Sequence, residues 1–164
     1  MPSSNHALRW LWLSLAIITI DLITKALASA YLPLARPVSI LPFFNLTRLH
    51  NYGAAFSFLD TSNSVWQVVL FAFIAIGVSI GIIIWLTRLP RGVAWRLPCG
   101  LALILGGALG NLYNRIVNGY VVDFLDFHIA QYHWPAFNIA DSAITIGAIL
   151  VIWHHIVTPE HSSD

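Results

Sequence analysis

Four long apolar stretches constrain the fold of this chain more than any other feature. They cover residues 8–28, 65–86, 95–114 and 139–157, and a helix needs about 20 mostly apolar residues to cross the hydrocarbon core of a bilayer. Hydrophobic residues make up 58% of the 164 positions and charged residues only 9%, which is more apolar surface than a soluble globule can bury. We therefore predict an all-α integral membrane protein, in which residues 1–164 form a single membrane domain built on a four-helix bundle.

The charge and cysteine content exclude several classes of function. Eight Lys and Arg against seven Asp and Glu leave a formal net charge of +1, so the chain lacks the basic surface that would attract a nucleic acid. The single cysteine, Cys99, excludes an intramolecular disulfide and any metal site that needs several cysteines. We expect no nucleic-acid partner.

The basic residues that flank the spans predict the orientation in the membrane. More of them lie near the termini and the second connection than in the first connection: Arg9, Arg88, Arg91 and Arg96 against Arg36 and Arg48. Because loops rich in Lys and Arg stay in the cytoplasm, we expect cytoplasmic termini. The loops at residues 29–64 and 115–138 would then face outward.

The first span admits a second interpretation, a cleavable secretory signal. Residues 11–20 resemble its short apolar core, and residues 28–30 resemble its small-residue cleavage site. Asp21 and Lys25 lie between the two, however, and the rest of the chain is itself membranous. We therefore favour a retained span.

The first outer loop has the pattern of a small sheet. Residues 38–40 and 44–47 alternate in the way that is typical of strands, which predicts a β-rich region on the membrane surface. Gly53 and the alanines after it would let another group approach the backbone closely.

Polar side chains collect at the outer ends of the first, third and fourth spans and in the loop after the third span. They are Asp21, Lys25, Asn111, Arg115, Asp123, Asp126, Asn138 and Asp141. Ionisable groups in or beside a span are costly and usually mark a function or a pair. This placement predicts a site at the outer interface, to which the second span contributes no polar side chain.

Each group also has a structural interpretation. Asp21 and Lys25 are spaced as an intrahelical ion pair, and Asn138 with Asp141 fits a capped helix start. Asn111 and Arg115 could satisfy carbonyls at a helix end.

Two further patterns favour structural roles. The glycine pairs at 77/81 and 106/110 favour close helix packing. The histidines form an interfacial cluster on the inner side, for which metal binding is the alternative: His154, His155 and His161.

The residue types limit the chemistry that such a site could perform. The only glutamate, Glu160, lies in the C-terminal tail, so a His-Glu-x-x-His zinc protease is excluded. Ser57 and His50 share the first loop but lack the Gly-x-Ser-x-Gly pattern. Asp123 and Asp141 are separated by a loop that can double back, and two adjacent carboxylates that share one proton can hydrolyse an amide.

Several blocks of the sequence resemble one known family. They are residues 21–25 (DLITK), 50–57 (HNYGAAFS), 106–111 (GGALGN), 119–124 (GYVVDF) and 135–142 (PAFNIADS). These blocks resemble those of bacterial lipoprotein signal peptidases, the signal peptidase II family. The resemblance implies an aspartic endopeptidase of the bacterial cytoplasmic (inner) membrane. It would remove signal peptides from prolipoproteins by cutting before a cysteine that carries a diacylglyceryl group.

The resemblance also implies roles for individual residues. The catalytic pair would be Asp123 and Asp141. The residues lining or bracing the site would be Asn51, Gly53, Asn111, Arg115 and Asn138, with Asp21 and Lys25 supporting it from the first span. The implied partners are the lipid-modified prolipoprotein and membrane lipid, with no metal or organic cofactor, and we expect a monomer.

One position departs from the family pattern. Asn114 stands where the family usually has an aspartate before the arginine. We expect its amide to accept a hydrogen bond from Arg115 in place of an ion pair.

Two classes of non-enzyme remain as alternatives. A proton-coupled transporter or channel subunit could use the intramembrane carboxylates as relays, although transporter sites usually lie near the bilayer midplane between repeats. A purely structural membrane subunit would leave Asp123 without a role.

Overall fold

The computed structural model describes residues 6–53 and 65–158 of the chain. It contains four long helices, α1 (Leu11–Tyr31), α2 (Val65–Arg88), α3 (Arg96–Asn118) and α4 (Ile139–Val157), and a 3-10 turn (His6–Trp10) leads into α1. Each helix is long and apolar enough to cross a membrane, which confirms the prediction of four spans. Residues 54–57 of the second sequence block, together with Glu160 and His161, lie outside the described residues.

A four-stranded antiparallel sheet completes the fold. Its strands are β1 (Val38–Leu41), β2 (Phe44–Asn51), β3 (Val121–Ile129) and β4 (Tyr132–His133), in that spatial order. The first two strands confirm the prediction for the first loop. The sheet also takes in part of the second outer loop, residues 115–138, because the run of Val and Phe residues in β3 has high β propensity.

The third helix also extends further than predicted. It continues to Asn118 and ends where Gly119 adopts a left-handed conformation (φ 77°), with the Gly119 N–H donating to the Arg115 carbonyl. Glycine adopts this conformation without steric strain. Arg115 therefore lies in the last turn of α3 instead of in the loop.

Helix α3 is the centre of the bundle and packs against the other three helices. A methyl group added at Gly106 would come within 2.9 Å of the Ser14 carbonyl oxygen of α1, and one at Gly107 would overlap the Ala140 carbonyl of α4. The absence of a side chain thus lets both helices approach α3 closely. The same prediction was wrong for Gly77 and Gly81, which lie on an exposed face of α2 where an added methyl group meets no described atom within 4 Å.

The sheet lies at one end of the bundle, because β1 follows the end of α1, β3 follows the end of α3, and β4 precedes the start of α4. We call this the sheet end, and the opposite end, where α2 leads into α3, the far end. Ala28, Val122 and Phe124 form an apolar cluster where the sheet meets the helices. A second cluster lies toward the far end: Ala7, Ile82, Leu86, Leu97, Leu101 and Leu105.

Candidate active site

Asp123 is held on β3 by an amide from the neighbouring strand. The register pairs Asn51 with Val121, and alternate residues of a strand point to the same face. Asn51 is therefore the diagonal neighbour of Asp123, and its Nδ2 donates to Asp123 Oδ2 at 2.9 Å. Asp123 is 3% exposed, so strand pairing places a carboxylate in the interior.

Asp141 is positioned by the start of α4. The backbone N–H of Asp141 donates to Asn138 Oδ1 at 3.0 Å, and the backbone N–H of Asn138 donates to Asp141 Oδ2 at 3.2 Å. This confirms the predicted helix cap, and the second bond makes the cap reciprocal. Because Asn138 Oδ1 is engaged in the cap, its Nδ2 donates outward, to Asp123 Oδ1 at 2.7 Å. One asparagine thus connects both carboxylates.

Asn111 of α3 holds the other oxygen of Asp141. Its Nδ2 donates to Asp141 Oδ1 at 2.8 Å, and its Oδ1 accepts from Lys25 Nζ at 2.7 Å. An ammonium group has donors only, so Lys25 can bind only the amide oxygen of Asn111. The contact with Lys25 therefore fixes which way the Asn111 amide faces.

Asp21 joins α1 to the start of α4. Its Oδ2 accepts from Lys25 Nζ at 2.7 Å, which confirms the intrahelical pair, and its Oδ1 accepts from the Ala140 backbone N–H at 2.9 Å. Both members of the pair are buried, at 0% and 2% exposure. The intrahelical ion pair is therefore also a buried link between α1 and the start of α4.

Burial dominates the electrostatics of Asp123. The pKa of this carboxyl is raised from 3.8 to about 6, chiefly by burial and then by the negative charge of Asp141, while the hydrogen bonds from Asn51 and Asn138 and the charge of Lys25 oppose the shift. Desolvation disfavours the charged form of an acid. Asp123 consequently takes up a proton far more readily than an exposed aspartate.

Helix α2 contributes a residue that the sequence did not single out. The Arg115 guanidinium lies 5.0 Å from the ring centroid of Phe71, in a cation–π contact. Phe71 also packs under Gly53, where φ is +106° and an added methyl group would overlap the ring. The Gly53 N–H donates to Asn51 Oδ1 at 2.8 Å, so Gly53 orients the amide that holds Asp123.

The prediction that the second span adds no polar side chain was wrong. Gln67 of α2 is 2% exposed and lies one turn before Phe71, on the same helix face. A single glutamine in an apolar run was the available signal.

Two polar residues near the site belong to other contacts. Asp126 is an odd number of positions from Asp123 on β3 and so points to the opposite face. Burial alone would raise the pKa of Asp126, but the hydrogen bonds from Asn45 and His133 outweigh it and lower that pKa. His50 stacks on Tyr120 with ring centroids 3.8 Å apart.

Asn114 makes a different contact from the one expected. Its Oδ1 accepts from the Val122 N–H at 3.4 Å, because adjacent residues of a helix point in different directions and the amide cannot face Arg115. The side chain ties the end of α3 to β3.

The structure brings the nine predicted site residues to one place, the junction of α1, α3, α4 and the sheet. Among the described residues, no group of three or more His, Cys, Asp or Glu side chains could hold a metal ion. Two carboxylates remain, joined through Asn138 and differently surrounded. Such a pair can hold one proton between them and serve as an acid and a base.

Comparisons with known proteins identify the family of this chain. The family model described as signal peptidase (SPase) II matches residues 13–157. The lipoprotein signal peptidase of Coxiella burnetii (strain RSA 493 / Nine Mile phase I) is 50% identical over 156 residues, covering 95% of this chain and 94% of that one. That of Acinetobacter baylyi (strain ATCC 33305 / BD413 / ADP1) is 56% identical over 147 residues, covering 90% and 81%.

Solved structures give the same result. A bacterial membrane enzyme determined by the in meso method at 1.9 Å has a TM-score of 0.75 and 30% identity, covering 88% of this chain and 90% of that one. These similarities give no support to a transporter or channel subunit. The chain is a membrane-embedded peptidase that belongs to the signal peptidase II family.

Proposed function

We propose that this protein is an aspartic endopeptidase that removes signal peptides from prolipoproteins, with Asp123 and Asp141 as its catalytic pair. The observation that carries the proposal is the bridge through Asn138, which donates 2.7 Å to Asp123 and caps α4 at Asp141. Its similarity to lipoprotein signal peptidases supports the same reaction.

The environments of the two carboxylates suggest their roles. Asp141 lies in the first turn of α4 and accepts hydrogen bonds from Asn111 and the Asn138 backbone, where free amides favour a negative charge. Asp123 has the raised pKa, about 6. Asp141 is therefore the base and Asp123 the usual carrier of the shared proton.

Hydrolysis then needs one water and the two side chains. Asp141 takes a proton from the water as its oxygen attacks the scissile carbonyl carbon, and Asp123 donates its hydrogen bond to the developing oxyanion. The tetrahedral intermediate breaks its C–N bond when a proton passes from the pair to the leaving nitrogen. The products are a carboxylic acid and an amine, and the pair is left with one proton, as at the start.

Arg115 is the proposed contact for the substrate backbone. Its guanidinium lies over the Phe71 ring, and it interacts electrostatically with both Asp123 and Asp141. Guanidinium N–H groups bind carbonyl oxygens well. Arg115 would thus position the peptide against the pair.

The membrane setting supports a lipid-modified substrate. We propose that the enzyme lies in the bacterial inner membrane with cytoplasmic termini, so that the sheet end faces outward. It would act as a monomer, since one chain supplies both carboxylates and their partners. At that depth a diacylglyceryl group on the substrate cysteine can remain among the lipid chains while the peptide reaches the site.

Removal of either carboxylate tests the catalytic pair. Asp123→Asn and Asp141→Asn should each lower the cleavage rate by more than about 100-fold, because each removes both acid and base function. The double variant should be hardly slower than either single variant. Rates are measured on a purified lipidated precursor, and circular dichroism and thermal unfolding in detergent check that each variant is folded.

A residual rate would contradict the mechanism. If either folded variant kept more than about a tenth of the wild-type rate, loss of a general acid or base could not explain its chemistry. Asp126→Asn is the matched control, since Asp126 lies on the same strand but the opposite face, and it should retain activity.

Lipid recognition has its own test. Each buried methylene contributes about 0.8 kcal/mol, so the wild-type enzyme should cleave a diacylglyceryl-modified precursor at least about 100-fold faster, in kcat/KM, than the same precursor with an unmodified cysteine. Equal rates on the two precursors would refute the lipid preference and leave the catalytic pair unaffected.

A further inference from the structure

The far end of the bundle is rich in basic residues. Arg9, Arg88, Arg91 and Arg96 lie there or near it, and His154 lies in the last turn of α4 at the same end. The four carboxylates of the described residues, Asp21, Asp123, Asp126 and Asp141, all lie at the sheet end. The far end therefore has the charge that attracts an anion.

Tryptophans mark the depth of this end in the membrane. Five of the seven lie in the first or last turns of the helices there: Trp10, Trp12, Trp85, Trp95 and Trp153. Tryptophan is enriched at the level of the lipid headgroups. The far end thus lies where phospholipid phosphates are found.

Arg96 and Trp153 form a contact between two helices at this level. Arg96 begins α3, and its guanidinium lies 5.0 Å from the Trp153 ring centroid in the last turns of α4. Its Nε is buried and has no hydrogen-bond partner in the described part of the chain. Stacking on an aromatic ring holds the guanidinium plane while its donors remain available.

His154 is the second buried donor that lacks a partner. It is 8% exposed, and its Nδ1 has no hydrogen-bond partner among the described residues. Arg96 acts on it electrostatically from α3. A buried polar atom without a partner is unfavourable, so an acceptor brought to this place would stabilise the helix ends.

We propose that Arg96 and His154, with Trp153 as a platform, bind the phosphate of an anionic phospholipid at the far end. A phosphate has several acceptor oxygens and matches the fork of the arginine. An anionic phospholipid carries a negative charge and places it at the headgroup level, where Arg96 and His154 lie. This site is separate from the catalytic pair and does not depend on it.

Lipid retention by the full-length protein tests the site. The protein is purified in detergent, mixed with phosphatidylglycerol or phosphatidylcholine, and bound lipid is counted by native mass spectrometry. Arg96→Gln should weaken phosphatidylglycerol binding about tenfold, the effect of losing a charge-assisted hydrogen bond. His154→Phe, which fills the same space without nitrogen, should weaken it as well.

The control is Arg88→Gln, the same change in charge at an exposed residue of the same end. It should change binding by less than about twofold, because an exposed charge contributes little. Cleavage activity in detergent verifies that Arg96→Gln is folded, so a loss of lipid cannot be attributed to unfolding.

Three outcomes would overturn the proposal. Equal losses for Arg88→Gln and Arg96→Gln would mean that the basic end attracts lipid without a site. Equal retention of phosphatidylcholine would remove the requirement for an anionic lipid. Displacement of the lipid by millimolar inorganic phosphate would identify a free-anion site.

Discussion

Two of the asparagine side chains that hold the carboxylates, Asn138 and Asn111, each have one possible orientation. Asn138 must present its oxygen to the Asp141 N–H, and Asn111 must present its oxygen to Lys25. The amide nitrogen of each therefore points to a carboxylate. The orientation of both amides is fixed by the Asp141 N–H and the Lys25 ammonium, which can only donate hydrogen bonds.

The role of Lys25 can be measured without leaving a buried charge unpaired. In the double variant Asp21→Asn/Lys25→Met, the side-chain oxygen at position 21 can still accept from Ala140, but the ammonium is gone. Since Asn111 loses the contact that orients it, kcat should fall about tenfold or more, the effect of one charged hydrogen bond, with a smaller change in KM.

A third substitution separates orientation from general structure. If Lys25 acts through Asn111, adding Asn111→Ala to the double variant should reduce kcat no further. A wild-type kcat in the double variant, or a full additional loss with Asn111→Ala, would show that the two residues act independently.

The sequence predicted some of these residues by local rules and others only by resemblance. The spacing of Asn138 and Asp141 suffices to predict a cap, and that of Asp21 and Lys25 an ion pair. The contact of Asn51 with Asp123 requires the register of β2 and β3, which no local pattern provides. The contact of Phe71 with Arg115 could not be predicted, because a phenylalanine in an apolar span is indistinguishable from its neighbours.

The close contact that glycines allow between α3 and α4 controls the position of Asp141. Gly107 of α3 lies against the Ala140 carbonyl, and Gly147 of α4 lies against the Gly100 carbonyl. Backbone atoms cannot move aside as a flexible side chain can. The spacing of α3 and α4 thus depends on these glycines.

Gly107→Ala should separate the start of α4 from α3. We expect it to destabilise the protein by about 1–3 kcal/mol, the usual effect of overpacking, and to lower cleavage because Ala140 adjoins Asp141. The measurements are unfolding in detergent with increasing denaturant and the rate on a lipidated precursor.

The other glycine pair supplies the control. Gly77→Ala adds the same methyl group where no described atom lies within 4 Å, and alanine favours helix. It should leave stability and activity unchanged or slightly improved. Equal damage from both substitutions would mean that helix contact is not the cause.

Hydropathy predicts the spans of the whole molecule but not their arrangement. Four apolar runs of sufficient length identify α1 to α4, since every backbone group in lipid must be bonded within a helix. The many small residues of α3 are consistent with its central position, but this position is evident only from its contacts with the other three helices. The periodicity of the sequence does not predict the long-range pairing of β2 with β3, which completes the sheet.

The proposed orientation can be checked by labelling. In a Cys99→Ser background, cysteines introduced at the exposed residues Gln131 and Thr158 lie at the sheet end and the far end. An impermeant thiol reagent applied to intact spheroplasts should label Gln131→Cys only, and should label both after permeabilisation. Labelling of both positions, or of Thr158→Cys alone, in intact spheroplasts would contradict the orientation.

The capping role of Asn138 has a consequence for how the enzyme is made. Asn138 and Asp141 belong to α4, which leaves the ribosome after Lys25, Asn111 and Asp123. A chain still under synthesis therefore holds Asp123 before Asp141 is in place. With these two residues as the proposed pair, proteolytic activity would begin only when α4 has entered the membrane and docked, so that an unfinished copy would not attack its surroundings.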